Sequence, residues 1–183
     1  KRQNLYLMDE PLSSLDAKLR ESLRVELKNI QTNLNATILY VTHDQAEATT
    51  LADKIGVLKE GHLVQIGTPE EIYENPNSIY VSQRLGSPKI NILPGTLLGM
   101  NDVPTFGIRP ENITIGNGDH SAKIISIENL GSETVVALNF KDQEILVSIQ
   151  GNYKSSINET INFDINNKKV LKFDKEGNRI YER

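Results

Sequence analysis

Two adjacent carboxylates, Asp9 and Glu10, follow the apolar run Leu5-Tyr6-Leu7-Met8, and a histidine, His43, follows a second run, Thr37-Ile38-Leu39-Tyr40-Val41-Thr42. These residue types suit metal-assisted phosphoryl chemistry. An aspartate at a strand end can hold Mg²⁺, directly or through water, because that ion takes few carboxylates and fills its shell with waters and phosphate oxygens. A glutamate one residue on points differently and can orient or deprotonate a water aimed at a phosphate. His43 is placed to bond the same water or phosphate. The same acids also fit a buried strand ending in two solvated carboxylates, and a lone histidine at a strand end is more often structural. Ser14 and Asp16, just downstream, read first as helix caps.

Positioning such groups requires a sheet. Four apolar residues in succession before the acids read as a strand buried on both faces, with its chemistry at the carboxyl end, where open α/β sheets hold ligands. Ser13-x-x-Asp16 fits a capping box, and Leu15, Leu19, Leu23, Leu27, Ile30 and Leu34 recur at spacings of four or three. That pattern predicts an amphipathic helix of about five turns, ended by Asn33 and Asn35. Thr37 to Thr42 is the second strand, so the start reads strand, crossover helix, parallel strand. Asp44 and Glu47 open another helix, and Glu60-Gly61 joins two strands as a hairpin. Thr68-Pro69-Glu70-Glu71 marks a helix start that ends before Pro76, and a short helix follows over Asn77 to Leu85. Gly86-Ser87-Pro88 then breaks the pattern, and strand-length runs replace helical ones. The predicted strands are Gly95 to Leu98, Thr105 to Arg109, Ala122 to Glu128, Thr134 to Phe140, Glu144 to Ile149, Thr160 to Ile165 and Lys169 to Phe173, with turns at Gly116 to Asp119, Lys141-Asp142 and Asn166-Asn167. Such spacing predicts a small barrel. The organisation read here is an α/β part over residues 1–88 and an all-β barrel over residues 89–183.

Composition narrows the classes. A net charge of −4, with no Lys/Arg cluster beyond pairs, argues against nucleic acid as a partner. The 183 residues contain no cysteine, which removes disulfide and thiolate chemistry. No apolar run approaches the ~18 residues of a membrane span, and no signal-peptide core precedes the first strand. The expected location is the cytoplasm, without direct membrane insertion.

Leu5 to Asp16 resembles the Walker B strand and D-loop of an ATP-binding cassette (ABC) ATPase, and Thr42-His43-Asp44 its switch-histidine region. Asp44-Gln45-Ala46-Glu47-Ala48, Gly67 to Tyr73 and Gly86-Ser87-Pro88-Lys89-Ile90-Asn91 are similar to the subgroup that energises importers of sugars and other solutes. Gly107-Ile108-Arg109-Pro110-Glu111 and Glu128 to Glu133 resemble its C-terminal regulatory domain, a TOBE-type barrel of the oligonucleotide/oligosaccharide-binding kind. The resemblance implies ATP and Mg²⁺ in the parent protein, with Asp9 on the metal, Glu10 as catalytic base and His43 as γ-phosphate sensor. It also implies that Ser14 and Asp16 lie in a loop coupling two ATP sites across a dimer. The implied partners are a second copy, joined through the regulatory domain, and transmembrane permease subunits, which would hold the parent against the inner face of the membrane.

The departures from that pattern carry their own expectation. No G-x-x-x-x-G-K-[ST] loop occurs in these residues, nor the glutamine-bearing loop or the LSGGQ-type signature that precede the Walker B strand in the family. The sequence thus reads as the C-terminal part of a longer protein, inactive by itself and binding neither ATP nor metal, with apolar strand faces at Leu5 to Met8 and Thr37 to Val41 left exposed. The short link between Pro94 and Gly107 reads as a trimmed barrel. A second reading is a stand-alone module whose barrel binds an oxyanion or oligosaccharide. A third is a metal-dependent hydrolase built on Asp9, Glu10, Asp16 and His43.

Overall fold

The computed structural model describes residues 5–181. The polar lead-in read at Lys1 to Asn4 lies outside the described residues. The chain forms two compact units that divide between Asn75 and Pro76. Sequence texture changes later, at Gly86 to Lys89, so residues 76–88 are helical in pattern yet pack with the second unit.

In the first unit, β1 (Leu5–Asp9), α1 (Ala17–Leu34) and β2 (Thr37–Val41) form the expected strand, helix, strand. β2 runs parallel to β1 in a register from Leu5 opposite Thr37 to Asp9 opposite Val41. The expectation that β1 is buried on both faces does not hold. Leu5, Leu7, Leu39 and Val41 are 56, 72, 61 and 45 % exposed, whereas Tyr6, Met8, Ile38 and Tyr40 on the opposite face are partly covered. Successive strand side chains alternate between faces, so a sheet covered on one side buries every second residue.

The capping box read at Ser13 also needs correction. Ser13 Oγ turns back to donate to the Glu10 carbonyl at 2.9 Å, and Asp16 is the N-cap, its Oδ1 accepting the Leu19 N–H at 2.9 Å. α1 ends where Asn35 enters the left-handed region, φ 47°, and returns its N–H to the Gln31 and Thr32 carbonyls. The leucine stripe predicted core packing along this helix. No residue of α1 is fully buried: Leu23 and Leu27 are partly covered, and Leu19, Ile30 and Leu34 are exposed.

α2 (Gln45–Leu51) follows, and then β3 (Ile55–Lys59) and β4 (His62–Gly67) pair antiparallel. Glu60 and Gly61 both take positive φ, 51° and 79°, the two-residue turn whose twist matches the strands. α3 (Pro69–Glu74) begins at the helix start read from sequence, and its cap is reciprocal: Thr68 Oγ1 accepts the Glu71 N–H and Glu71 Oε2 accepts the Thr68 N–H.

The second unit opens with α4 (Ile79–Ser82), shorter than the helix read at Asn77 to Leu85. Its strands are β5 (Asn91–Pro94), β6 (Thr105–Ile108), β7 (Ile113–Asn129), β8 (Glu133–Phe140), β9 (Gln143–Gln150), β10 (Thr160–Ile165), β11 (Leu171–Phe173) and β12 (Arg179–Ile180). They form two four-stranded antiparallel sheets, ordered β10-β7-β8-β9 and β12-β11-β6-β5. One apolar core spans both, with Phe106 and Ile108 from one sheet meeting Ile124, Val136, Leu138, Ile145, Val147 and Phe163 from the other. Between the edge strands β5 and β9 a side chain replaces the backbone ladder. The buried Asn91 accepts the Leu146 N–H at 2.7 Å and donates to the Leu146 carbonyl at 2.9 Å.

Two strand assignments change. Gly95 to Leu98 is a 3-10 turn, entered from Pro94 and closed by Gly99 at φ 72°, and the strand lies just before it as β5. The turn read at Gly116 to Asp119 is an excursion within β7: Asn162 pairs with Ser121 but Phe163 pairs with Ile115, so residues 116–120 bulge out while the strand continues.

Candidate functional site

At the carboxyl end of β1 the ladder runs one residue beyond Asp9: the Glu10 N–H donates to the Val41 carbonyl at 2.9 Å. The backbone then turns, because Glu10 takes φ 44°, a conformation uncommon for residues other than glycine. Ser13 secures the turn by bonding the Glu10 carbonyl through both its hydroxyl and its N–H, and the buried Leu12 anchors it. In that position Glu10 Oε1 lies 2.9 Å from His43 Nδ1. Two residues distant in sequence thus meet because β1 and β2 are parallel and in register, as their placement after two apolar runs requires.

The pair is open to solvent, with the His43 side chain 75 % exposed. The bond to Glu10, reinforced by the glutamate's charge, raises the His43 pKa above its ordinary 6.5, against a small opposing effect of desolvation. In the protonated ring both nitrogens are donors, and Nδ1–H donates to the carboxylate.

Behind the pair lies a second network. Asp44 caps α2, its Oδ1 accepting N–H groups from Ala46 at 2.7 Å and Glu47 at 3.1 Å, while its Oδ2 meets Arg20 Nη1 of α1 at 3.2 Å. Burial pushes the Asp44 pKa up, but those two N–H groups and the Arg20 guanidinium outweigh it and hold the carboxyl below its ordinary value. Glu47, buried within the first turn of α2, accepts hydroxyl protons from Tyr40 and Thr42 on Oε2, each at 2.8 Å. Burial, then the Glu47 bond, pushes the Tyr40 phenol above its usual range. From sequence Glu47 is only a helix-opening acid, and nothing there singles out Arg20. The available signal was the alternation Tyr40, Thr42 on one strand face, followed by a carboxylate one helical turn into α2.

The other candidates stay apart from this pair. Asp9 is exposed at the end of β1, Ser14 is exposed in the turn, and Asp16 serves α1 as its cap. Among the described residues no group of three or more His, Cys, Asp or Glu converges as metal ligands. The arrangement of Asp9, Glu10, Asp16 and His43 expected for a self-contained metal hydrolase is therefore not formed. In the second unit an open groove of about 380 Å³ is lined by Ser121, Lys123, Asn139, Lys141, Asp142 and Thr160. The Lys141 amine there donates to the Leu97 carbonyl at 3.1 Å.

Comparison with known proteins bears on both units. The family model described as the TOBE domain matches residues 106–166, from β6 through β10. The sn-glycerol-3-phosphate import ATP-binding protein UgpC of Psychromonas ingrahamii is 36 % identical over 209 aligned residues, covering 100 % of this chain and 56 % of that protein. The chain belongs to the ABC import ATP-binding proteins, as part of their C-terminal region. UgpC of Brucella abortus is 39 % identical over 194 residues, covering 96 % of the chain and 55 % of the relative. The xylose/arabinose import ATP-binding protein XacK of Haloferax volcanii is 40 % identical over 164 residues, covering 75 % and 43 %. The chain thus spans about half the length of the curated relatives it matches. Among the described residues no helix is long and apolar enough to cross a membrane.

Proposed function

We propose that this chain is the C-terminal portion of an ATP-hydrolysing importer subunit: the Walker B end of an ABC ATPase domain, followed by a TOBE regulatory domain. The observation that carries the reading is the Glu10–His43 bond at the carboxyl end of two parallel in-register strands. Phosphoryl transfer asks mainly for positioning and charge stabilisation. The Glu10 carboxylate accepts a proton from the attacking water and aims its oxygen at the γ-phosphorus. His43 keeps that carboxylate in place through Nδ1 and turns its other N–H toward the phosphate, where charge builds as the terminal bond breaks. Asp9, with one exposed carboxylate and no companion ligands, suits Mg²⁺ held chiefly by nucleotide phosphates and waters, and does not suit a metal caged by protein alone. When bound, the ion neutralises phosphate charge.

The rest of the catalytic apparatus lies outside these 183 residues, since no phosphate-cradling glycine loop is among them. In this reading the chain alone does not turn over ATP. The intact subunit works beneath a permease on the inner face of the membrane, pairs with a second copy through the TOBE domain, and couples ATP sites through Ser14 and Asp16. The names of the relatives point to a small hydroxylated solute such as a phosphorylated polyol or a pentose.

The test is ATP turnover by the intact subunit. Glu10→Gln is expected to lower kcat about 10²-fold or more, the usual contribution of a general base, while nucleotide affinity stays within about a factor of three. Undiminished turnover in Glu10→Gln would sink the reading.

A further inference from the structure

Glu47 is 2 % exposed, yet the chemistry assigned to Glu10 and His43 makes no use of it. A carboxylate in the first turn of a helix ordinarily faces solvent, where the positive end of the helix favours it. Burying one is costly, and an apolar side chain of similar volume would serve bare stability as well or better. What the carboxylate adds is direction. Its Oε2 binds the Tyr40 and Thr42 hydroxyls at 2.8 Å, gripping β2 and the residue just past it, and Thr42 Oγ1 in turn accepts the Asp44 N–H at 3.0 Å. Asp44 is fixed on its other side by Ala46, Glu47 and Arg20. His43 is the residue between Thr42 and Asp44, and its exposed ring has little packing to locate it.

We propose that Glu47 is the positioning residue for His43: by tying the end of β2 to the first turn of α2 it fixes the link that presents the imidazole to Glu10. The inference rests on the reading of His43 as a phosphate-facing group, but its test does not require ATP turnover. Glu47 touches neither nucleotide nor reacting water in this scheme. It acts through backbone placement, so an acceptor oxygen of the same reach should replace it and an apolar group should not.

The experiment is a titration of the histidine resonances of this chain by NMR. The sequence has three histidines, His43, His62 and His120, and the last two, on β4 and β7, report whether each unit remains folded. The charged groups around His43 are Glu10 from the end of β1, and Asp44 and Glu47 from the start of α2, with Arg20 and Arg24 of α1 acting on Asp44. Glu47→Gln and Glu47→Leu remove the same charge, so their difference isolates positioning.

The unsubstituted chain should titrate His43 above 6.5. Glu47→Gln should keep most of that elevation, and Glu47→Leu should lose at least half of it while His62 and His120 keep native shifts. An equal His43 midpoint in the Gln and Leu variants would overturn the proposal. If Glu47→Leu disturbs His62, Thr42→Val, which deletes one hydroxyl at constant volume, takes its place: a partial fall supports the proposal and an unmoved midpoint overturns it. Failure of Glu10→Gln to slow ATP turnover would remove the catalytic reading and leave this answer about His43 intact, so the two failures are distinguishable.

Discussion

His43 and Glu10 set the pH behaviour of the site. A histidine whose folded pKa lies above its unfolded value stabilises the fold fully below the unfolded pKa, near 6.5, and loses that contribution as pH rises through the folded pKa. Glu10→Gln removes the principal cause of the elevation. Its His43 midpoint should fall back toward 6.5, and the melting temperature should separate from that of the parent more at pH 6 than at pH 9. A separation independent of pH would mean that the bond is not charge-assisted. Asp44 behaves with the opposite sign. Its folded pKa is lowered, so its contribution is present above the unfolded value near 3.8 and is lost as pH falls through the folded one. Asp44→Ala removes the α2 cap and the partly exposed Arg20 pair together, and should cost about 1–2 kcal/mol at pH 7 in urea melts. Asp44→Asn keeps a capping oxygen and should recover most of that loss. If the two variants are equally destabilised, the ion pair matters more than the cap.

At the level of elements, legibility followed the range of the interactions. The caps at Thr68 and Asp44 and the Glu60-Gly61 hairpin were readable because a few adjacent residues determine each, and the parallel pairing of β1 with β2 because a strand, helix, strand order carries it. Glu10 and His43 could be named from their strand ends, but their bond depends on register and on a positive φ at Glu10 that no local preference announces. Ser13 was misread as a cap because the turn after Glu10 claims its hydroxyl. The glycine pair at 116 and 118 was read as part of a turn between strands, whereas β10 pairs with β7 on both sides of it. Gly118 shows why the excursion holds: a Cβ there would lie 2.1 Å from the Phe163 carbonyl oxygen. Beyond it His120 sits 5.4 Å from the Phe163 ring and 5.3 Å from Phe140. Gly118→Ala must push the bulge off β10, and should destabilise the second unit by more than about 2 kcal/mol, at the upper end of single-residue effects. Gly61→Ala has open space around its Cβ and meets only the left-handed penalty, about 1–2 kcal/mol. Chemical denaturation of both variants checks the order, and a larger loss at Gly61 would contradict the close approach at Gly118.

Across the whole molecule, apolar burial is unequal. The unit that ends at Asn75 buries Leu12, Ala36, Ile55, Val57 and Ile72, of which only Ile72 among the described residues is completely covered, and it leaves Leu5, Leu7, Leu39 and Val41 exposed on one sheet face. The unit that begins at Pro76 completely buries Phe106, Ile108, Val136, Leu138, Ile145, Val147, Phe163 and Phe173. Stability follows the apolar area removed from water, and each unit carries its own buried groups, so heating should give two transitions, the first unit melting below the second. Residues 76–183 contain the whole core shared by the two four-stranded sheets. That segment, produced alone, should melt cooperatively at the temperature of the upper transition. Leu138→Ala should lower the upper transition only, by about 2–5 kcal/mol for a fully buried leucine, and should leave the histidine titration of the Glu10–His43 pair unchanged. Differential scanning calorimetry of the chain, the variant and the segment decides between this and a single cooperative unit: one transition, displaced as a whole by Leu138→Ala, would mean that the sparse first core draws its stability from the second.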